Sequence, residues 1–353
     1  MTKSKWDLFV AKYLFMFKDG FFELPYLANS PQIMVDSLIK NPVSNHKLLE
    51  QGIFSNNLFC KGTMYYREME DNFWLLTSHI EIKKNIIAKS IYDENFASEF
   101  YILTFSVFEH EFPVKNATGQ NIKITNTCWT LSKPKTEVQT YFYQTTKGKF
   151  YNLVFDKKWA DETILIKNSA HNTTFQAFLD GKTGSFTWSN RTPEANEVAK
   201  IVSEIILSEK DGVFHIQELR KNCLTLIDYF VDNVFDDNRI AENVSLSNLN
   251  YAKIAKAEKM ISLNLSVPFV GVEEIASEVM MSPTKLKTYF KTVFGYSMLQ
   301  YHKEQNMLLA MQLVQNSTAL INVIAAITGY DSASKFAATF KKRFGKLPSE
   351  FRN

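Results

Sequence analysis

The stretch "MMSPTKLKTYFKTVFG", residues 280–295, is echoed by "GYDSASKFAATFKKRFG", residues 329–345, and this repeat constrains the fold more than any other feature of the chain. Phe290-Lys291 and Phe294-Gly295 recur as Phe340-Lys341 and Phe344-Gly345, and Lys285 recurs as Lys335, at an offset of 50 residues. Each copy is a basic, glycine-terminated helix preceded by a shorter helix with an Ile-Ala pair.

In the first copy a helix over 272–279 turns through Met280 and Met281 into a second helix, with Ser282 as N-cap and Pro283 at its first position. Ile275, Ala276, Val279, Leu286, Phe290 and Phe294 make one apolar face, so the two helices pack on each other. In the second copy Ile324-Ala325 matches Ile275-Ala276, Gly329 supplies a helix-ending position, and Ser332 caps a helix buried through Phe336, Phe340 and Phe344. A connector over 298–315 holds both units at a fixed separation. Outward residues are Thr284, Lys285, Lys287, Thr288 and Lys291 on the first helix, and Ala333, Ser334, Lys335, Ala338, Thr339, Lys341 and Lys342 on the second. The lysines, threonines and serine among them are donors of the kind that phosphates and base edges accept. Two rigidly linked helices of this sort suit adjacent major grooves of B-DNA, about 34 Å apart.

The charge distribution agrees. The whole chain carries +3, but from residue 251 onward thirteen Lys/Arg face seven Asp/Glu, a net +6 that leaves −3 for residues 1–250. This asymmetry suggests a polyanion-binding tail on a near-neutral body. At 353 residues, two or three domains are expected. Three dispersed cysteines, Cys60, Cys128 and Cys223, fit neither a disulfide framework nor a thiolate zinc site and point to a reducing cytoplasm. Asp7, Lys12, Lys18 and Asp19 interrupt the N-terminal apolar stretch, so neither a signal peptide nor a membrane span is expected.

Residues 1–190 read as β-rich, a barrel or sandwich. "YILTFSVF", 101–108, alternates with period two, and 138–155 reads as a hairpin turning at Lys147-Gly148. Thr192-Pro193 then opens a helix pair within 191–235. The second stripe, Ile216, Leu219, Cys223, Leu226, Ile227, Phe230 and Val234, serves either as a core face against the β region or as a dimer interface. The polar segment 236–248 is the linker to a C-terminal all-α domain over 249–353, whose pattern demands no apolar face from outside. The expected fold class is thus α+β multidomain.

"IASEVMMSPTKLKTYFKTVFGYSMLQYH" and "ALINVIAAITGYDSASKFAATFKKRFGKLPSEFR" together resemble the double helix-turn-helix domain of AraC/XylS-type transcription regulators, with units over 272–295 and 321–345. The resemblance implies base reading around Thr284, Lys285, Lys287 and Thr288 and around Ala333, Ser334 and Ala338. It also implies a cupin-like effector-binding β domain followed by dimerising helices. The implied partners are double-stranded operator DNA, a second copy of the chain, a small-molecule effector and RNA polymerase, with no cofactor. The chain departs from the family pattern at Thr288, Met298, His302, Asn306 and Ala338. Without long donors at Thr288 and Ala338, bidentate guanine readout there is lost.

The competing reading is a cupin-like β-domain enzyme tethered to DNA. It requires clustered ligands, whereas His79 and His110 stand apart with no His-x-His, and no nucleophile elbow or phosphate loop occurs. A non-enzyme is expected.

Overall fold

A computed structural model describes residue 14 and residues 16–165, 178–181, 184–190, 192–208, 213–235 and 248–352. The linker expected at 236–248 lies outside the described residues except for Asn248. The protein is α+β and divides into two compact units: Met1–Phe108 with Thr127–Ser245, and Glu109–Asn126 with Leu246–Asn353.

The first unit is built on two sheets. One has the order β1 (Phe17–Lys18), β2 (Phe21–Leu27), β7 (Ile86–Ile91), β10 (Gln139–Phe142), with β2 and β7 parallel. The other has the order β12 (Ser185–Ser189), β9 (Asn121–Ser132), β8 (Phe100–Lys115), β11 (Lys147–Asp156), β6 (Phe73–Ile82), β5 (Cys60–Glu70), β4 (Gly52–Asn56), β3 (Ser44–Lys47). Helix α1 (Pro31–Ile39) follows β2, capped by the Ser30 hydroxyl, and α2 (Lys157–Ala160) follows β11.

The strand at 101–108 forms inside β8, but the hairpin expected over 138–155 does not. β10 pairs with β7 through Phe142 opposite Ile86, whereas β11 pairs with β6 in the other sheet. Lys147-Gly148 lies within β11, and the chain changes sheets at 143–146, where Thr145 takes φ +71°. Two apolar runs with a turn between them resemble a hairpin in sequence even when each finds a different partner strand.

Helices α3 (Glu194–Leu207) and α4 (Val213–Phe235) complete this unit. Helix α3 starts one residue later than Thr192-Pro193 suggests: Pro193 occupies the N-cap and, lacking a side-chain acceptor, makes no capping bond. Ala195, Ala199, Val202, Ile205 and Ile206 of α3 share one core with Leu219, Cys223, Leu226, Ile227, Phe230 and Val234 of α4 and with Phe105, Trp129 and Trp188 of the large sheet. The Phe230 ring lies 5.7 Å from Trp129 and 5.5 Å from Trp188, centroid to centroid. Arg220 of α4 pairs with Glu70 of β5 at 2.8 Å. Of the two roles open to the stripe, the structure shows the core face. Leu226→Ala should therefore lower the urea midpoint of unfolding by the equivalent of about 2–5 kcal/mol, and Leu226→Asp should yield no folded first unit.

Candidate nucleic-acid interface

The second unit holds α5 (Asn248–Ser262), α6 (Val272–Glu278), α7 (Pro283–Phe294), α8 (Met298–Asn316), α9 (Ile321–Ile327), α10 (Ala333–Phe344) and a 3-10 turn at Pro348–Phe351. The first helix-turn-helix is α6 and α7. The Ser282 hydroxyl accepts from Lys285 N, Pro283 stands at the start, and Gly295 ends α7 at φ +72°. In the second, α9 and α10, Ser332 accepts from Lys335 N and Gly345 closes at φ +81°.

The two turns have one backbone and two chemistries. Gly329 takes φ +84° after α9, and Tyr330 N donates to Ala325 O at 2.8 Å. At the corresponding place after α6 stands Met280, at φ +52°, and Met281 N donates to Ala276 O at 2.9 Å. A left-handed conformation is natural to glycine and strained for methionine. Lys253 and Lys256 of α5 brace this turn: their ammonium groups donate to Met280 O at 2.7 Å and Glu278 O at 2.6 Å.

Each unit has its own core. Ile275, Ala276, Val279, Leu286 and Phe290 pack with Ile254, Ala257 and Ile261 of α5 and with Met298 and Tyr301 of α8. Ile324, Ala325, Phe336 and Phe340 pack with Leu309, Ala310, Leu313 and Val314 of the same connector. Glu304 of α8 pairs with Arg343 of α10 at 2.6 Å, and Phe351 lies 5.8 Å from the Phe340 ring. His302 and Asn306, two of the departures from the family pattern, are buried on α8. Burial pushes the Glu258 carboxyl of α5 above its ordinary range, although it accepts from Tyr301 at 2.9 Å and from Ser262.

Thr284, Lys285, Lys287, Thr288 and Lys291 are all exposed on α7, and Ser334, Lys335, Ala338, Thr339, Lys341 and Lys342 on α10, with Ala333 half-buried. Not all are equally available. The Thr288 hydroxyl donates to Thr284 O at 3.1 Å and the Thr339 hydroxyl to Lys335 O at 3.0 Å, leaving a methyl and an acceptor outward. The Lys285 ammonium lies 5.3 Å from the Tyr289 ring centroid.

The sequence reading missed a further component. Residues 109–126 of the β8–β9 ribbon group with the helices of 249–353, which are themselves all-α as the sequence suggests. Ile122 and Ile124 are buried in the core of the second helix-turn-helix, with Phe112 and Val114 packed beside them. The Gln312 side chain accepts from Thr125 N at 2.5 Å and donates to Thr125 O at 2.6 Å. Contrary to the sequence reading, the pattern of 249–353 does take an apolar face from outside. The alternation Phe112, Val114, Ile122, Ile124 about the turn at 116–120 is the signal that reveals it.

His79 and His110 fall in different units. His79 lies 3.3 Å from the Ser203 hydroxyl, and the side chain of His110 is outside the described residues. Among the described residues no three His, Cys, Asp or Glu side chains gather as a metal-holding group. Burial pushes the Cys223 thiol well above its ordinary range, and that of Cys60 up as well. Among the described residues no helix is long and apolar enough to cross a membrane.

Comparison with known proteins agrees with the geometry. A helix-turn-helix domain family model matches residues 275–353. The arabinose operon regulatory protein of Salmonella typhimurium is 29% identical over 110 residues, 31% of this chain and 39% of that protein. The virulence regulon transcriptional activator VirF of Yersinia enterocolitica is 36% identical over 81 residues, 23% of this chain and 30% of that protein. The crystal structure of a transcriptional regulator of the AraC-type DNA-binding-domain class from Chromobacterium violaceum is 27% identical, covering 29% of this chain and 91% of that one with a TM-score of 0.28. The C-terminal part of this chain is an AraC-type helix-turn-helix domain. The chain spans 39%, 26% and 34% of the length of the first three curated relatives it matches.

Met280 is 78% exposed, so its side chain contributes little packing. Met280→Gly should relieve the strained turn and raise stability by about 0.5–1 kcal/mol net of glycine's chain entropy, read from thermal unfolding.

Proposed function

We propose that the protein is a sequence-specific DNA-binding transcription regulator that places α7 and α10 in adjacent major grooves of operator DNA. The observation that carries this reading is the pair of capped, solvent-facing basic helices joined by one helix that is shared between their cores. A connector of 19 residues spans about 28 Å, close to the separation of successive grooves on one face.

The two helices divide the task unequally. Helix α7 presents Thr284, Lys285 and Lys287 where bases lie, and α10 presents Ala333, Ser334 and Ala338, suited to thymine methyls and shape. Lys291, Lys335, Lys341 and Lys342, with Thr288 and Thr339, then flank the phosphates. The first unit's role is effector response, a reading supported by domain order alone. Dimerisation would use outward apolar residues, Ile201, Leu207 and Phe214, because the inward stripes are occupied. RNA polymerase is a further partner on the same reading, and the setting is the cytoplasm.

Affinity for duplex DNA should fall by about 0.9 log units per phosphate contact for each tenfold rise in salt, with several contacts made. Lys287→Ala should relax base preference in a binding selection, and Lys335→Ala should weaken all sequences alike. Salt-independent binding would sink the DNA reading, equal loss of discrimination would sink the division, and a full-length chain sedimenting as a monomer on DNA would remove the dimer.

A further inference from the structure

We propose that the β8–β9 hairpin is a wing of the DNA-binding unit, its basic tip gripping the phosphate backbone beside the second helix-turn-helix. This inference rests on the DNA-binding reading above. The ribbon is fastened at two levels along α8. Thr125 is held by Gln312, and nearer the tip Lys115 O accepts from Thr318 N, just past the end of the helix. Moving from Thr125 towards the tip therefore follows α8 towards the segment that leads into α9. In a helix-turn-helix the first helix crosses the phosphate backbone while the second enters the groove. The tip thus lies beside the part of the second unit that approaches phosphates.

The tip is also built rigidly. Asn116 N donates to Gln120 O at 2.9 Å, and the Asn116 side-chain oxygen accepts from Thr118 N and Gln120 N, both at 3.0 Å. Gly119 supplies the left-handed turn residue at φ +77°. Such a closed turn presents its donors without an ordering cost on binding. Its inward residues, Ile122 and Ile124, are spent on the core, while Lys115, Thr118, Gln120, Asn121 and Lys123 are exposed. No Asp or Glu occurs between Phe112 and Thr136, the carboxylates Glu109 and Glu111 standing at the far end of the ribbon. Lysine, amide and hydroxyl side chains are the usual donors to phosphate oxygens and carry no base preference.

The test uses the full-length chain and a random-sequence duplex, with affinity followed as salt rises. The double variant Lys115→Gln, Lys123→Gln should lower the slope of log affinity against log salt by about 1–2, with the melting curve and the ranking of selected sequences unchanged. Lys115→Arg with Lys123→Arg should restore the slope, and removing two exposed lysines of the first unit, Lys40→Gln with Lys61→Gln, should leave it alone. A steep wild-type slope retained by the Gln pair would overturn the wing and leave a solvated turn. A shallower slope in the Lys40 and Lys61 control would overturn it too, because net charge alone would account for the effect. Absence of salt-dependent binding in the wild type, with Lys287→Gln equally without effect, would overturn the DNA reading and the wing with it.

Discussion

One helix serves two hydrophobic cores, and the rest of the DNA-binding unit depends on that sharing. Helix α8 gives Met298 and Tyr301 to the first core and Leu309, Ala310, Leu313 and Val314 to the second. Neither pair of short helices, α6 with α7 or α9 with α10, is long enough to be stable in isolation, since helices below about 12–15 residues are marginal without packing. Each borrows its hydrophobic partner from the connector. The same burial that folds the two pairs therefore fixes their spacing, and an unbroken helical ladder makes that spacing stiff.

The first unit solves a different problem with the same means. An eight-stranded sheet has a face to cover, and α3 and α4 lie across it through Val202, Leu226 and Phe230 against Trp129 and Trp188. On the sheet side that core includes the aromatic side chains of Phe73, Phe105, Trp129, Tyr151 and Trp188. This explains why the helix pair is so apolar on one stripe without that stripe being free for another chain.

The sequence made the second unit legible because its rules are local. Caps, glycine ends and Phe spacing all lie within a dozen residues of what they determine, so Ser282, Gly295, Ser332 and Gly345 stand where the pattern puts them. Strand pairing is not local. The run ending at Phe142 and the run through Tyr151 look like one hairpin, yet they belong to different sheets, because a strand's partner is chosen by the whole core. The ribbon was hidden for the same reason: Ile122 and Gln312 are far apart in the chain and meet only in the fold. Of the candidate interface, the outward set on α7 is readable, whereas the diversion of the Thr288 and Thr339 hydroxyls to their own helices depends on rotamers that no sequence pattern fixes.

The Gln312 bridge has a consequence for how the chain behaves among its own copies. Strand β12 pairs with β9 from Cys128 to Ser132, which leaves the stretch of β9 nearer the tip with its outer edge unclaimed by that strand. An open strand edge is a template on which another chain can add itself. A glutamine side chain carries the same N–H and C=O pair as a peptide bond, so at Thr125 it closes the edge as a neighbouring strand would. A ribbon released from α8 would regain that open edge together with the apolar faces of Ile122 and Ile124. Docking thus shields a segment that would otherwise be prone to sheet-like self-association.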